Sequence, residues 1–284
     1  ITGEAKSYYG LINAPIGNDT DARDGFDLAT LSNAFRSPAY AQLSKIYLRE
    51  KNYSRAGMYA GKATDFNRYN MEALQLQAVA YRLMKVTDRW QETLNTISRF
   101  DPLNHFVLFE RYINNPSAEN AMAIKNGIRN ELPDETYMES GTWYYSVNLP
   151  ADAIAVFNLN KSSTEAQYWL AFLNGTKPDM QLLKPDFVFP FRSESLTVLE
   201  TLLKSTDHWM LKYHLALGYL DKNRKQEAAA LLSSCGDQPS YAPFYVVRAN
   251  ILREENNVNV LNDLQKALSL DNQWRYHKVL AEYY

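Results

Sequence analysis

Residues 37–70 read SPAYAQLSKIYLREKNYSRAGMYAGKATDFNRYN, and residues 71–104 read MEALQLQAVAYRLMKVTDRWQETLNTISRFDPLN. The two align without a gap at a period of 34 residues, placing Tyr47 on Tyr81, Ser44 on Ala78, Ala63 on Ile97 and Arg68 on Pro102. A period of this length marks a unit that cannot bury its apolar face alone and buries it by stacking on its neighbours. Small residues recur where two helices must approach closely: Ser44, Ala56 and Ala63 in the first segment, Ala78 in the second. A large side chain there would force the helices apart, and the tyrosine three residues later fills the space left over. Pro102 stops the second helix of its unit, having no N–H to donate.

The pattern returns near the C-terminus. Residues 209–242 supply Leu215, Ala216, Tyr219, Ala228 and Leu232, and the same register puts Cys235 at a small, buried position. Residues 241–274 supply Phe244, Val247, Ile251, Leu264 and Ala267 and close with Leu270-Asp271-Asn272. Between these, residues 134–158 keep the register with Tyr137, Gly141, Tyr144, Ala153 and Phe157, whereas 118–130 and 163–174 fit it less well.

Two segments lie outside the repeat. In the head, residues 1–36, the turn formers of Asn18 through Gly25 predict a loop with a helix starting near Asp27. Residues 174–192 read NGTKPDMQLLKPDFVFPFR; Pro178, Pro185 and Pro190 preclude a continuous helix, and Phe187-Val188-Phe189 reads as extended. The expected organisation is therefore a head (1–36), a first helical half (37–173), a Pro- and Phe-rich insert (174–192) and a second helical half (193–284). The start at Ile1 and the helical pattern still running at the far end suggest a piece of a longer polypeptide.

Composition narrows the function. Lys and Arg number 30 against 32 Asp and Glu, a net charge of −2, without the positive excess that releases counterions from phosphates. Nucleic acid is not an expected partner, and no apolar run is long enough to insert into a bilayer. Four histidines, at 105, 208, 214 and 277, form no metal-ligand spacing, and no metal or cofactor is expected. A calcium loop starting at Asp19 would put Arg23 where an oxygen ligand belongs. Cys235 is placed for burial, which disfavours a thiolate. Glu254-Glu255 reads as solvent-facing charge on a helix. Nothing in the chain points to catalysis.

The spacing of Tyr40, Leu43, Ser44, Tyr47, Ala56 and Ala63, repeated downstream, resembles the tetratricopeptide repeat family. The resemblance implies an all-α fold, a right-handed α-solenoid of antiparallel helix pairs, interrupted here by the Pro-rich extended segment. It further implies that the first helix of each pair lines a concave groove, here through Lys45, Arg49, Gln75, Arg82, Tyr145, Tyr213, Tyr245 and Arg253. The family's carboxylate clamp is missing, because its Lys and Asn positions fall on Ala41 and Lys45.

A narrower resemblance rests on residues 187–194, Trp209, residues 215–217 and residues 238–245. These are similar to the C-terminal helical region of large bacterial proteins that begin with a carbohydrate-associated β-sandwich. That resemblance implies an accessory helical region of a carbohydrate-processing protein whose active site lies upstream, with the periplasm or cell envelope as its place. The leading expectation is a non-enzymatic scaffold that binds a protein segment or the N-terminal domain of its own polypeptide, with a glycan reached only through that domain.

Overall fold

The computed structural model describes residues 2–254 and 259–284, and among these it contains seventeen α-helices and no strand. Glu255, and the side chain of Glu254, lie outside the described residues. The expected all-α architecture of helix pairs is the observed one. The chain divides into two compact units, one ending at Leu159 and the other spanning Asn160–Tyr284. The boundary thus precedes the insert, and the helix before the insert belongs to the second unit.

The first unit pairs α1 (Gly3–Asn13) with α2 (Asp19–Ala29), α3 (Arg36–Arg49) with α4 (Tyr53–Phe66), and α5 (Met71–Leu83) with α6 (Thr87–Phe100). Then come α7 (His105–Asn114) with α8 (Ala118–Gly127), and α9 (Pro133–Ser146) with α10 (Pro150–Asn158). Local sequence sets these starts. Asn52, Asn70 and Ser117 each accept a bond from a backbone N–H of the first turn, and Pro133 and Pro150 stand where a missing N–H costs nothing.

The small repeat positions do what their size demands. Ser44, Ala56, Ala63 and Ala78 are all completely buried. Ser44 Oγ donates to the Ala56 carbonyl at 2.8 Å, tying the two helices of a pair. Ser37 Oγ donates to the Ala63 carbonyl at 2.8 Å and accepts from Asn70 Nδ2 at 2.9 Å, so the same hydroxyl ties α3 to α4 and to the residue that caps α5.

The turns inside residues 37–70, 71–104, 134–158 and 209–242 have a common form. Lys51, Lys85, Asn148 and Asn223 have φ of 60°, 60°, 61° and 59°, each at the same repeat position. The N–H of the next residue bonds back to the carbonyl of Tyr47, Tyr81, Tyr144 or Tyr219, at 2.8 to 3.0 Å. This left-handed closure satisfies carbonyls that the helix end leaves open. The repeat tyrosine therefore has two tasks, a ring that packs and a carbonyl that accepts the closing bond.

The head corrects an expectation. Residues 18–25 are not a loop, since α2 begins at Asp19 with Asn18 as its N-cap and Asp19 and Asp21 in the first turn. Carboxylates there are favoured by the helix dipole, so residues that suggest a loop also suit a helix start. Gly25 faces Gly10 across the α1–α2 crossing, where a Cβ on Gly25 would lie 2.7 Å from the Gly10 backbone nitrogen. Glycine is what lets these two backbones touch.

The second unit comprises α11 (Thr164–Leu173), α12 (Ser193–Leu203), α13 (Trp209–Asp221), α14 (Lys225–Ser233), α15 (Ala242–Glu254), α16 (Val260–Leu270) and α17 (Trp274–Tyr283). Helix α11 closes with the same left-handed turn, through Gly175 at φ 63°. The insert follows in place of a second helix. It is not the expected extended run, because Phe187 has φ 57° and the segment forms turns and irregular backbone. It is pinned to the unit by Thr164 Oγ1, which donates to the Lys184 carbonyl at 2.9 Å and accepts from its N–H at 3.1 Å. Val188 is buried, and the Pro190 carbonyl comes so near α13 that a Cβ on Gly218 would lie 2.7 Å from it.

Candidate functional site

The eight groove positions taken from the repeat pattern do not form one surface. Lys45 is half-buried on α3. Arg49 bonds Asp19 Oδ1 at 2.6 Å, and its carbonyl accepts from Asn148 Nδ2 at 2.9 Å. Tyr145 is half-buried on α9. Arg253 is exposed, with its guanidinium 3.3 Å from the Glu282 carbonyl and 5.7 Å from the Tyr283 ring.

Three of the eight are interior. Tyr245 is completely buried, its hydroxyl donating to the Pro239 carbonyl at 2.8 Å. Tyr213 is buried against Tyr241 and Phe244, and burial, with Asp186 of the insert nearby, pushes its hydroxyl up to about 12. These tyrosines pack the core of the second unit and present no groove surface. Arg82 is also internal, gripping Glu110 through Nε at 2.8 Å and a terminal nitrogen at 3.1 Å, and Asp152 at 2.6 Å. Trp90 Nε1 and the Tyr144 hydroxyl complete the shell around Glu110, at 3.1 and 2.8 Å. With every oxygen of Glu110 met, the group is a structural node.

In the second unit the insert itself lies across the first helix of the α13–α14 pair. His214, completely buried on α13, sits between the Tyr168 hydroxyl at 3.0 Å and the Pro185 carbonyl at 3.2 Å. Burial drives its pKa down to about 4, so the imidazole is neutral, Nε2–H donating to Pro185 and Nδ1 accepting from Tyr168. The Tyr241 hydroxyl donates to Asp186 at 3.0 Å.

The eighth expected residue, Gln75, leads to an opening. It lines a cavity of about 210 Å³ between the first helices of three successive pairs, α5, α7 and α9. The α6–α7 turn gives Asp101, Leu103 and Asn104 to its wall, and α9 gives Thr136, Glu139, Ser140 and Trp143. Phe106 meets Trp143 edge to face at 5.3 Å, and Trp143 meets Tyr144 likewise at 5.1 Å, which fixes the indole. Asp101 accepts from the Leu103 N–H at 3.1 Å and from Asn104 Nδ2 at 3.0 Å. Asn104 Oδ1 is enclosed and has no hydrogen-bond partner among the described residues. Glu139 is exposed, and Leu103 at the rim is 84% exposed.

The repeat pattern missed Glu139, Ser140 and Trp143 because on α9 it assigns the groove to Tyr145. A Trp beside the repeat tyrosine, with a Glu four residues before it on the same face, is the sequence signal that pointed there.

His105 also lines the cavity, its Nε2 3.3 Å from the Gly127 carbonyl. Cys235 is buried, its thiol pushed up to about 11 by burial. No metal-holding group of three His, Cys, Asp or Glu occurs among the described residues. None of the described helices is long and apolar enough to cross a membrane.

No family model matches the chain, and no curated protein does. Among solved structures it is similar to a tetratricopeptide repeat protein from Parabacteroides merdae, at 17% identity over 98% of this chain and 97% of that one, with a TM-score of 0.36. It is also similar to pilF of Pseudomonas aeruginosa, at 16% identity over 87% of this chain and 97% of that one, with a TM-score of 0.31. The superpositions are loose, and the helix-pair fold stands on this chain's own packing and turns.

Proposed function

We propose that the chain is a non-enzymatic interaction scaffold that binds a segment of another protein on the first helices of its N-terminal unit. The observation that carries this is the cavity at α5, α7 and α9. It joins a fixed indole, polar side chains and an exposed leucine at the rim, the mix of aromatic anchor and polar surround found where protein segments dock. Support also comes from the interior, where Arg82, Glu110, His214 and Cys235 are taken up by packing and internal bonds.

A random heptapeptide library displayed on phage and panned against the full chain tests the proposal. Selected peptides should lose at least tenfold in affinity for Ser140→Trp, which fills the cavity. They should keep it for Glu92→Ala, an exposed change on the outer helix α6. Failure to obtain peptides sensitive to the cavity would overturn the reading.

A further inference from the structure

We infer that this cavity receives an arginine side chain of the bound segment. The inference deepens the interaction reading and rests on it.

Charge argues first. Asp101 and Glu139 stand in the lining with His105, whose Nε2 lies 3.3 Å from the Gly127 carbonyl, and no Lys or Arg does. Among the described residues Glu139 has no ion-pair partner on the chain itself, so its charge is left for a guest to meet. The N-terminal end of α7 opposes a cation with roughly half a unit charge, less than two carboxylates supply.

Hydrogen-bonding capacity argues second. The Asp101 and Glu139 carboxylates, the Gln75 amide and the Ser140 hydroxyl offer acceptors around the space. The Oδ1 of Asn104 in the wall lacks a donor. A guanidinium brings five N–H donors in a plane and no acceptor, which suits such a lining.

The third argument is Trp143. A planar, weakly hydrated guanidinium stacks on an indole, whereas a lysine ammonium is compact and strongly hydrated. A neutral polyol could use the ring and the acceptors, but would leave both carboxylates uncompensated. An acidic segment would be repelled.

The test uses the full chain and two readouts. N-acetyl-arginine methylamide is titrated while the indole N–H of Trp143, assigned with Trp143→Phe, is followed by two-dimensional NMR. Its resonance should move to saturation. The blocked lysine should bind at least fivefold more weakly, and Glu139→Gln should weaken arginine binding at least threefold with unchanged thermal unfolding. In the panning experiment, cavity-dependent peptides should share an arginine.

Cavity-dependent peptides with no arginine enrichment would overturn this inference and leave the scaffold reading standing. A lack of cavity-dependent peptides would remove both. Methyl glucoside shifting the indole as strongly as arginine would assign the cavity to a sugar instead. Should Ser140→Trp fail to fold, Glu139→Lys at its exposed position provides the second variant, and binding of blocked arginine unchanged by it would equally overturn the inference.

Discussion

Arg82 on α5 and Glu110 on α7 form a two-bond ion pair at 2.8 and 3.1 Å with Glu110 wholly buried, and Arg82 reaches on to Asp152 of α10. Burial pulls the guanidinium pKa down, but the charge and hydrogen bonds of Glu110, with the charge of Asp152, together hold it above its ordinary value. Removing one partner of such a pair strands the other. Glu110→Ala should therefore destabilise the first unit by about 3–5 kcal/mol. Amide hydrogen exchange across α5 to α10 in the full chain checks this, and a loss below about 1 kcal/mol would show that water replaces the carboxylate at little cost.

Acid should loosen the second unit through His214. The unfolded imidazole takes a proton near pH 6.5, whereas the folded one resists until about pH 4. On acidification the unfolded chain binds the proton first, so stability held above pH 6.5 drains away as pH falls toward 4. From pH 7 to pH 5 this one group accounts for about 2 kcal/mol, at about 1.4 kcal/mol per unit below 6.5. Urea titrations at both values, with and without His214→Gln, measure it. Parallel losses in the two proteins would refute the assignment.

The backbone of Lys85 is strained in a way that can be relieved. At φ 60° a side chain with a Cβ costs about 1–2 kcal/mol, a cost glycine does not bear. Lys85→Gly should match or exceed the parent in thermal stability, by up to about 1 kcal/mol once the greater freedom of the unfolded chain is subtracted. Lys85→Val should fall below the parent, because a β-branched residue is least tolerated there. A calorimetric ranking in the opposite order would disprove the turn's geometry.

Cys235 should be chemically silent. It is the chain's only cysteine, it is buried, and its thiol is pushed up to about 11. Labelling with a thiol reagent at pH 8 should be slow in the native protein and complete within the dead time after denaturation. Rapid native labelling would mean that α14 and its following turn open readily.

Much of the fold was legible because the decisive residues are constrained by close approach. Ser44, Ala56, Ala63, Ala78, Ala228 and Cys235 are small for a local reason, and all are buried. The tyrosines at 47, 81 and 219 were readable as packing residues on the same ground. Glu110 was not readable, because inside HFVLFERY it looks like one solvated charge. Its burial depends on Arg82, Trp90 and Tyr144 converging from 28, 20 and 34 residues away.

The site was less legible than the fold. Analogy with the repeat family placed Tyr213 and Tyr245 on a groove, but Tyr241 against the first and Pro239 bonded to the second, both in the segment before α15, help make them interior. Gln75 lines the opening, whereas Trp143 and Glu139 were missed because α9 turns a different set of positions toward it. Both failures have one cause. The repeat period fixes spacing along a helix, and the segments between units decide which face ends up covered.

Repeat arrays ordinarily change length by duplicating or dropping a unit, since each unit answers only to its immediate neighbours. The bond from Arg82 to Asp152 spans 70 residues. Deleting the α7–α8 pair would take Glu110 with it, and inserting a pair there would carry Asp152 out of reach. Either event leaves a cation in the interior with part of its compensation gone. The number of units between α5 and α10 is thus locked, and descendants of this chain can drift in sequence far more easily than they can change their repeat count.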